Sequence, residues 1–458
     1  MTKAFMTKTF MTKTLRSRLK AGVALAAVCA QLTVAAGPAS AFCGFYVAKA
    51  DAKMFNKSSK VVLARIGQQT AITMASDYEG KPSEFALVVP VPSFIQKSQI
   101  SVVDTKTIDH LDAFTAPRLV EYYDPDPCEP DYRGGVLALA TATPTAAIPA
   151  PPMQAYPGVK VEARYDIAEY DIAILSAEQS DGLIRWLTDN GYKIPAGAEP
   201  VIGSYIKQKL HFFVAKVDIK RFDALKRAYL KPLQVRYQTS KFMLPLRLGT
   251  VNANGPQDLT IYALTQQGRV EATNYRTVKV PSNVHVPLFV AHDFPNVYKA
   301  LFDRAVARQD MHGVFVEYAW DMGWCDPCAA QPLSKPELTE LGAGWVPGDS
   351  GKAVVNRWPS SNPPSAFVTR LHVRYDAQSF PEDLNFIETS DRENFQARYV
   401  LNHPYAGAAS CEAAKRYEAS LPDRFKHEAE NLADLTGWSQ KTIAARMATS
   451  GELPAGAN

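Results

Sequence analysis

Hydrophobic and polar positions change period repeatedly along the chain, and these changes predict short strands mixed with helices. Lys60-Val61-Val62-Leu63-Ala64-Arg65 and Thr70-Ala71-Ile72-Thr73-Met74 are β-branched runs parted by Gly67-Gln68, the pattern of a hairpin. Phe85 to Val89 is a continuous apolar run, as expected of a strand buried on both faces, and Pro90 and Pro92 predict its end. Val159 to Tyr165, Tyr170 to Leu175 and His211 to Val217 read as further strands. Ser180 to Asn190 reads as a helix closed by Gly191, and Arg221 to Leu230 as a short helix.

Phe242 to Leu248, Leu259 to Thr265 and Val270 to Tyr275 predict a meander with turns at Asn254-Gly255 and Gln267-Gly268. Pro295 to Arg308 follows as a helix, with Asp293 as candidate cap, and then Val314 to Trp320 as a strand. Phe367 to Tyr375 and Phe395 to Leu401 are strands, and Cys411 to Leu435 is one or two amphipathic helices with Pro422 near a boundary and Gly437 at the end. No regular β-α-β period runs through this order. The expected class is therefore α+β, with mixed, mostly antiparallel sheets, interspersed helices and two or three lobes.

The organisation that follows has a leader over residues 1–41 and a β-rich region over 42–141. A Pro/Ala-rich linker or long loop spans 142–158, and an α+β middle region spans 159–310. A C-terminal α+β region with a cysteine pair and terminal helices spans 311–447, and the tail 448–458 is expected to be disordered.

The leader carries Lys3, Lys8, Lys13, Arg16, Arg18 and Lys20 and no acid, then a stretch from Ala21 to Ala36 rich in Ala, Val and Leu. Ala39-Ser40-Ala41 supplies the small residues of a signal cleavage site. Phe42 separates Ala41 from Cys43, which argues against lipid attachment. The expected product is exported, periplasmic or secreted, without a transmembrane helix in the mature chain. Cleavage also changes the charge. The full chain has 50 basic and 46 acidic residues; without the six basic residues of the leader it has 44 against 46, a net charge of −2. No positive field for a phosphate backbone remains, so nucleic acid is not an expected partner.

Five of the six cysteines survive cleavage: Cys43, Cys128, Cys325, Cys328 and Cys411. All five are disulfide candidates in an oxidising compartment. Trp324-Cys325-Asp326-Pro327-Cys328 has the spacing of thiol–disulfide oxidoreductases, in which the first thiolate attacks and the second resolves the mixed disulfide. The same pair can be an inert local bridge, or either cysteine can pair with Cys411 or Cys43, and the structural reading takes precedence. As a zinc site it lacks a second ligand pair, so no metal and no cofactor is expected. Cys43 and Cys128 are a second candidate pair, pinning the new N-terminus to an acidic turn, Asp124-Pro125-Asp126-Pro127-Cys128-Glu129-Pro130-Asp131. That turn lacks the Gly-centred pattern of a calcium loop and reads as solvated. Gly348-Asp349-Ser350-Gly351 copies a serine-protease tetrapeptide without the His and Asp segments that such a serine needs, and reads as loop.

Several segments together resemble a bacterial secreted family known as domain of unknown function 2330. They are Cys43 to Ala50, Phe85 to Pro92, Asp181 to Leu187, Phe213 to Asp218, Leu246 to Gly249, Trp324 to Cys328 and Phe395 to Val400, a span reaching about Gly407. The resemblance implies export and a shared fold, and it implies no activity. The functional expectation is a non-catalytic, envelope-associated or binding module with an envelope or extracellular partner. The alternative is a periplasmic thiol–disulfide oxidoreductase in which Cys325 attacks and Cys328 resolves.

Overall fold

The computed structural model describes residues 45–49, 55–79, 85–129, 159–195, 197–225, 230–251, 253, 255–323, 331–346, 366–408, 410–450 and 452. All lie in one compact unit, Ala39–Asn458. The class is α+β: among the described residues two large sheets, one six-stranded and one nine-stranded, are flanked by helices and two small three-stranded sheets.

The six-stranded sheet is antiparallel throughout, in the order Val159–Ile167, Tyr170–Ala177, His211–Val217, Phe85–Val91, Phe45–Lys49, Tyr192–Lys193. The nine-stranded sheet centres on Phe55–Ile66, Gln257–Thr265, Phe367–Tyr375 and Gly313–Asp321. Its strands come from the N-terminal, middle and C-terminal regions of the chain alike. Alternation decides how the layers stack. In Phe85–Val91, Leu87, Val89 and Val91 face one way while Ala86 and Val88 face the other; His211–Val217 splits likewise into Phe213, Ala215 and Val217 against Phe212 and Val214. The first sets join Val61, Leu63, Leu259, Ile261, Leu371 and Val373 of the larger sheet in one core, so the two sheets pack face to face.

Helices cover the outer faces. Ser180–Asp189 and Ala198–Lys207 pack Leu183, Leu187, Ile202 and Tyr205 on the smaller sheet. Thr105–Thr115 packs Ile108, Leu111 and Phe114 on the larger one. Phe294–Ala307, Glu412–Thr436 and Gln440–Thr449 gather around a parallel three-stranded sheet of Val284–His285, Arg398–His403 and Arg118–Tyr123.

The hairpin expected around Gly67-Gln68 forms, with Ile66 opposite Gln69 and Gly67 at φ +55°, the left-handed conformation that a two-residue hairpin loop requires. Several expectations are corrected. Pro90 lies inside its strand, opposite Phe212; the neighbour on the other side stops pairing at Val88, so the missing N–H breaks no ladder there. The meander does not form. Gln257–Thr265 pairs in parallel with Phe55–Ile66 and antiparallel with Phe367–Tyr375, because an apolar strand buried on both faces belongs at the centre of the large sheet. Val270–Ala272 pairs instead with Leu384–Glu388, and Phe242 to Leu248 yields only the bridge Met243–Leu244 before the helix Arg247–Val251.

Phe395 to Leu401 splits at Ala397 into Phe395–Gln396 and Arg398–His403, which join different sheets. The short helix expected at Arg221 begins earlier, at Ile219, with Asp218 capping the amide of Arg221. Pro422 breaks nothing: Glu412–Thr436 is one helix of 25 residues, held by burial of Phe425, Leu432 and Leu435 and closed by Gly437 at φ +74°. A further helix, Gln440–Thr449, follows Ser439, whose hydroxyl accepts the amide of Thr442. It runs to Thr449, past the expected start of the tail, and Glu452 is buried and takes the amides of Leu288 and Phe289, each at 2.9 Å. Asp293 does not cap its helix with a side-chain bond; it pairs with Arg446 and accepts Asn296 Nδ2 at 2.6 Å.

Candidate functional site

Two polar assemblies stand out from the apolar layers, one sealed and one open. The sealed one is built by a register break. In Gly313–Asp321 the ladder to Phe367–Tyr375 shifts between Val316 and Tyr318, so Val314 and Val316 face the inter-sheet core and so does Ala319 beyond the break. Glu317 is the extra residue; one position after Val316 it faces the helix-covered side, and the bulge keeps Tyr318 on that side too. The alternating row Arg370, His372 and Arg374 lies on that face. Glu317 Oε2 accepts Arg370 Nε at 2.7 Å, and its Oε1 meets His372 Nδ1 at 2.7 Å and the hydroxyl of Tyr298. Arg370 reaches on to Asp112 Oδ1 at 2.6 Å, where Tyr262 also donates, while Lys60 holds Oδ2 at 2.7 Å. Arg374 forks onto both oxygens of Asp258 and bonds Asp303.

Burial alone would raise Glu317, but the charges of His372 and Arg370 and hydrogen bonds from His372 and Tyr298 outweigh it and hold the carboxyl at about 2. Asp112 is likewise held at about 2, burial being overcome by Arg370 and Lys60. Both carboxylates of Glu317 and Asp112 are fully engaged by protein donors. Chemically this assembly is a staple that ties the helices Thr105–Thr115 and Phe294–Ala307 to the sheet.

The open assembly is a cleft of about 220 Å³ between the C-terminus of Ala198–Lys207 and the small sheet in which Met243–Leu244 pairs with Leu384–Glu388. Gln208, Lys241, Arg247, Glu382, Asp383 and Asn385 line it. Asp383 organises the wall. Its Oδ1 accepts the hydroxyl of Tyr205 at 2.6 Å and the amides of Leu246 at 2.8 Å and Arg247 at 3.2 Å, which fixes where Arg247 leaves the backbone. Its Oδ2 accepts no hydrogen bond among the described residues. Burial pushes the Asp383 carboxyl above its ordinary value, against the bonds from Tyr205 and the two amides and the charge of Arg247.

The cations of this cleft are held by neutral partners. Arg247 Nη1 donates to Ser204 Oγ at 2.8 Å and Lys241 Nζ to Gln208 Oε1 at 3.2 Å. Among the described residues neither side chain forms an ion pair. Convergent polar groups, an accessible concavity and a displaced carboxyl are what a ligand site needs. Sequence reasoning missed all of these residues, because they come from three separate segments and match no motif.

The cysteines distribute differently from expectation. Cys128 is bridged to Cys411, with Cα atoms 6.0 Å apart and a sequence separation of 283, so the pairing of Cys128 with Cys43 is corrected. The long helix brings Cys411, its N-terminal cap, to the acidic turn. Two acids of that turn serve the fold: Asp124 takes Tyr417 and Arg424, and Asp126 takes Tyr405 and the amide of Cys128. Ala39, Ala41, Cys43, Cys325, Cys328 and the tetrapeptide Gly348 to Gly351 lie outside the described residues. The strand expected upstream of Cys325 is present as Gly313–Asp321. Among the described residues no helix is long and apolar enough to cross a membrane.

No curated relative and no solved structure matches the chain. Residues 37–387 match a family described as an uncharacterised protein conserved in bacteria, DUF2330. The match includes every residue of the cleft and of the Glu317 staple. It ends before Phe395 to Val400, the last segment on which the resemblance rested, and before both terminal helices. By a match over most of its length, the chain belongs to the DUF2330 family of bacterial proteins.

Proposed function

We propose that the protein is exported, loses its leader after Ala41, and works as a non-catalytic, envelope-associated binding module whose ligand enters the Arg247 cleft. The observation that carries this reading is the state of Lys241 and Arg247. Two cations line one concavity and, among the described residues, their side chains bond only Gln208 and Ser204, which leaves donor capacity for whatever enters. Export is supported by the basic, acid-free leader and by the Cys128–Cys411 bridge, since such bridges persist in oxidising compartments.

The test is a ligand-observed NMR screen of small polar metabolites against the mature protein, repeated on Arg247→Ala and Lys241→Ala. Binding to wild type that both substitutions weaken, with the ligand recovered unchanged, is the expected result. A silent screen, hits indifferent to both substitutions, or conversion of a bound compound would each overturn the reading. N-terminal sequencing of protein from the periplasmic fraction, or from the medium, should begin at Phe42.

A further inference from the structure

The cleft presents charge of both signs, contributed by different segments. Lys241 and Arg247 come from the segment preceding and opening the helix Arg247–Val251, and Glu382 and Asp383 from the segment entering the strand Leu384–Glu388. The two cations keep unused donors. Of the acids, among the described residues, Asp383 keeps Oδ2 unbonded, and the exposed Glu382 side chain has only a 3.4 Å contact from Asn274 Nδ2. A simple anion entering here would meet two carboxylates, and a simple cation would meet two bases. Neither ligand satisfies both sets of groups, and a group left facing like charge after losing water weakens binding.

We infer that the cleft recognises a small zwitterion of the α-amino-acid class, its carboxylate held by Arg247 and Lys241 and its ammonium by Asp383 and Glu382. This rests on the cleft being a binding site, as proposed above, and adds the chemistry of the ligand. Size agrees: about 220 Å³ is below the ~300–1,000 Å³ of sites for drug-sized molecules and suits a ligand of amino-acid dimensions. Arg247 supplies a planar fork for a carboxylate, and Lys241 adds a second, flexible donor. Asp383 acts in two ways. Oδ1 positions the Arg247 backbone, and Oδ2 is left for the ammonium.

Isothermal titration of the mature protein with each of the twenty L-amino acids, and with N-acetyl and C-amide derivatives of any that bind, tests the assignment. At least one amino acid should bind, and blocking either its ammonium or its carboxylate should weaken it by about tenfold or more. Arg247→Gln should weaken the parent by about tenfold with the circular dichroism spectrum unchanged. The exposed Glu382→Gln, which leaves the Asp383 scaffold intact, should shrink the preference for parent over N-acetyl form. An N-acetyl derivative or propionate that binds as tightly as the parent overturns the zwitterion and leaves an anion site. No binding by any amino acid at about 10 mM also overturns it. If the metabolite screen on the same protein is positive, only the ligand class falls; if that is silent too, the binding reading falls with it.

Discussion

Glu317 and Arg370 meet at 2.7 Å on neighbouring strands, at the point where the ladder between those strands is broken by one extra residue. Glu317 is 1 % exposed. Alternation from Val316 already turns it away from the inter-sheet core; the extra residue lets Tyr318 face the same side and returns Ala319 to the core.

Removing one partner strands the other in a site without water. Glu317→Leu should therefore cost roughly 3–5 kcal/mol in urea unfolding, and Arg370→Met a similar amount. The double variant should be less destabilised than the sum of the two, with a coupling of about 0.5–3 kcal/mol in a double-mutant cycle. Strict additivity would show that the two side chains do not act as a pair.

Acid should attack this staple first. Glu317 and Asp112 are both held at about 2 in the folded protein, below their ordinary values of 4.5 and 3.8. Between those limits the unfolded chain binds protons that the folded one does not, so the contribution of these two groups is complete above about pH 4.5 and falls as pH drops toward 2. The unfolding midpoint should decline over that window, and Asp112→Asn should start lower at pH 6 and decline less. A wild-type midpoint that stays level down to pH 2 would contradict this.

Glu428 behaves in the opposite sense. On the long helix it is 2 % exposed, and burial raises its carboxyl to about 7; the charge of Arg424 and a bond from Asn402 oppose that shift, and the charges of Glu452 and Asp124 add to it. The folded protein keeps this proton where the unfolded chain has lost it, so stability decreases as pH rises from about 4.5 to 7 and is level above. Glu428→Gln should gain roughly 1–3 kcal/mol at pH 8 and little at pH 4, read by thermal unfolding at both. An equal gain at the two values would assign the effect to packing.

The Cys128–Cys411 bridge closes a loop of 283 residues and ties the acidic turn to the start of the long helix. Its loss should cost roughly 2–5 kcal/mol. Wild type treated with reductant and Cys411→Ser should then unfold at similar temperatures. Peptide mapping without reduction should recover the two cysteines in one linked fragment, and a Cys128 peptide linked to Cys43 would refute the pairing.

Local pattern carried much of the fold. His211–Val217 and Phe367–Tyr375 were legible to the residue, because a strand declares itself through neighbours one and two positions away. Within the second, Arg370, His372 and Arg374 alternate with Leu371, Val373 and Tyr375, a row that the strand assignment left without a role. Alternation of that kind reads as a wet face, and nothing local says that two helices will cover it.

The polar cleft was beyond reach for a related reason. Gln208, Lys241, Arg247 and Asp383 carry no common spacing, and they meet only because Met243–Leu244 pairs with a strand some 140 residues later. Pro422 was misleading in the same way: its intrinsic preference against a helix interior is worth about 3 kcal/mol, and burial of Phe425, Leu432 and Leu435 offsets it.

By itself, then, the sequence determined the α+β class, the sites and types of most long elements, the candidate leader and the family, since all of these rest on short-range periodicity or on residue identity. Tertiary structure alone decided which strands became neighbours, which cysteine met Cys128, which charges were sealed at Glu317 and which were left open at Arg247. Those outcomes depend on competition for burial between segments hundreds of residues apart, and no local window of the chain contains both competitors.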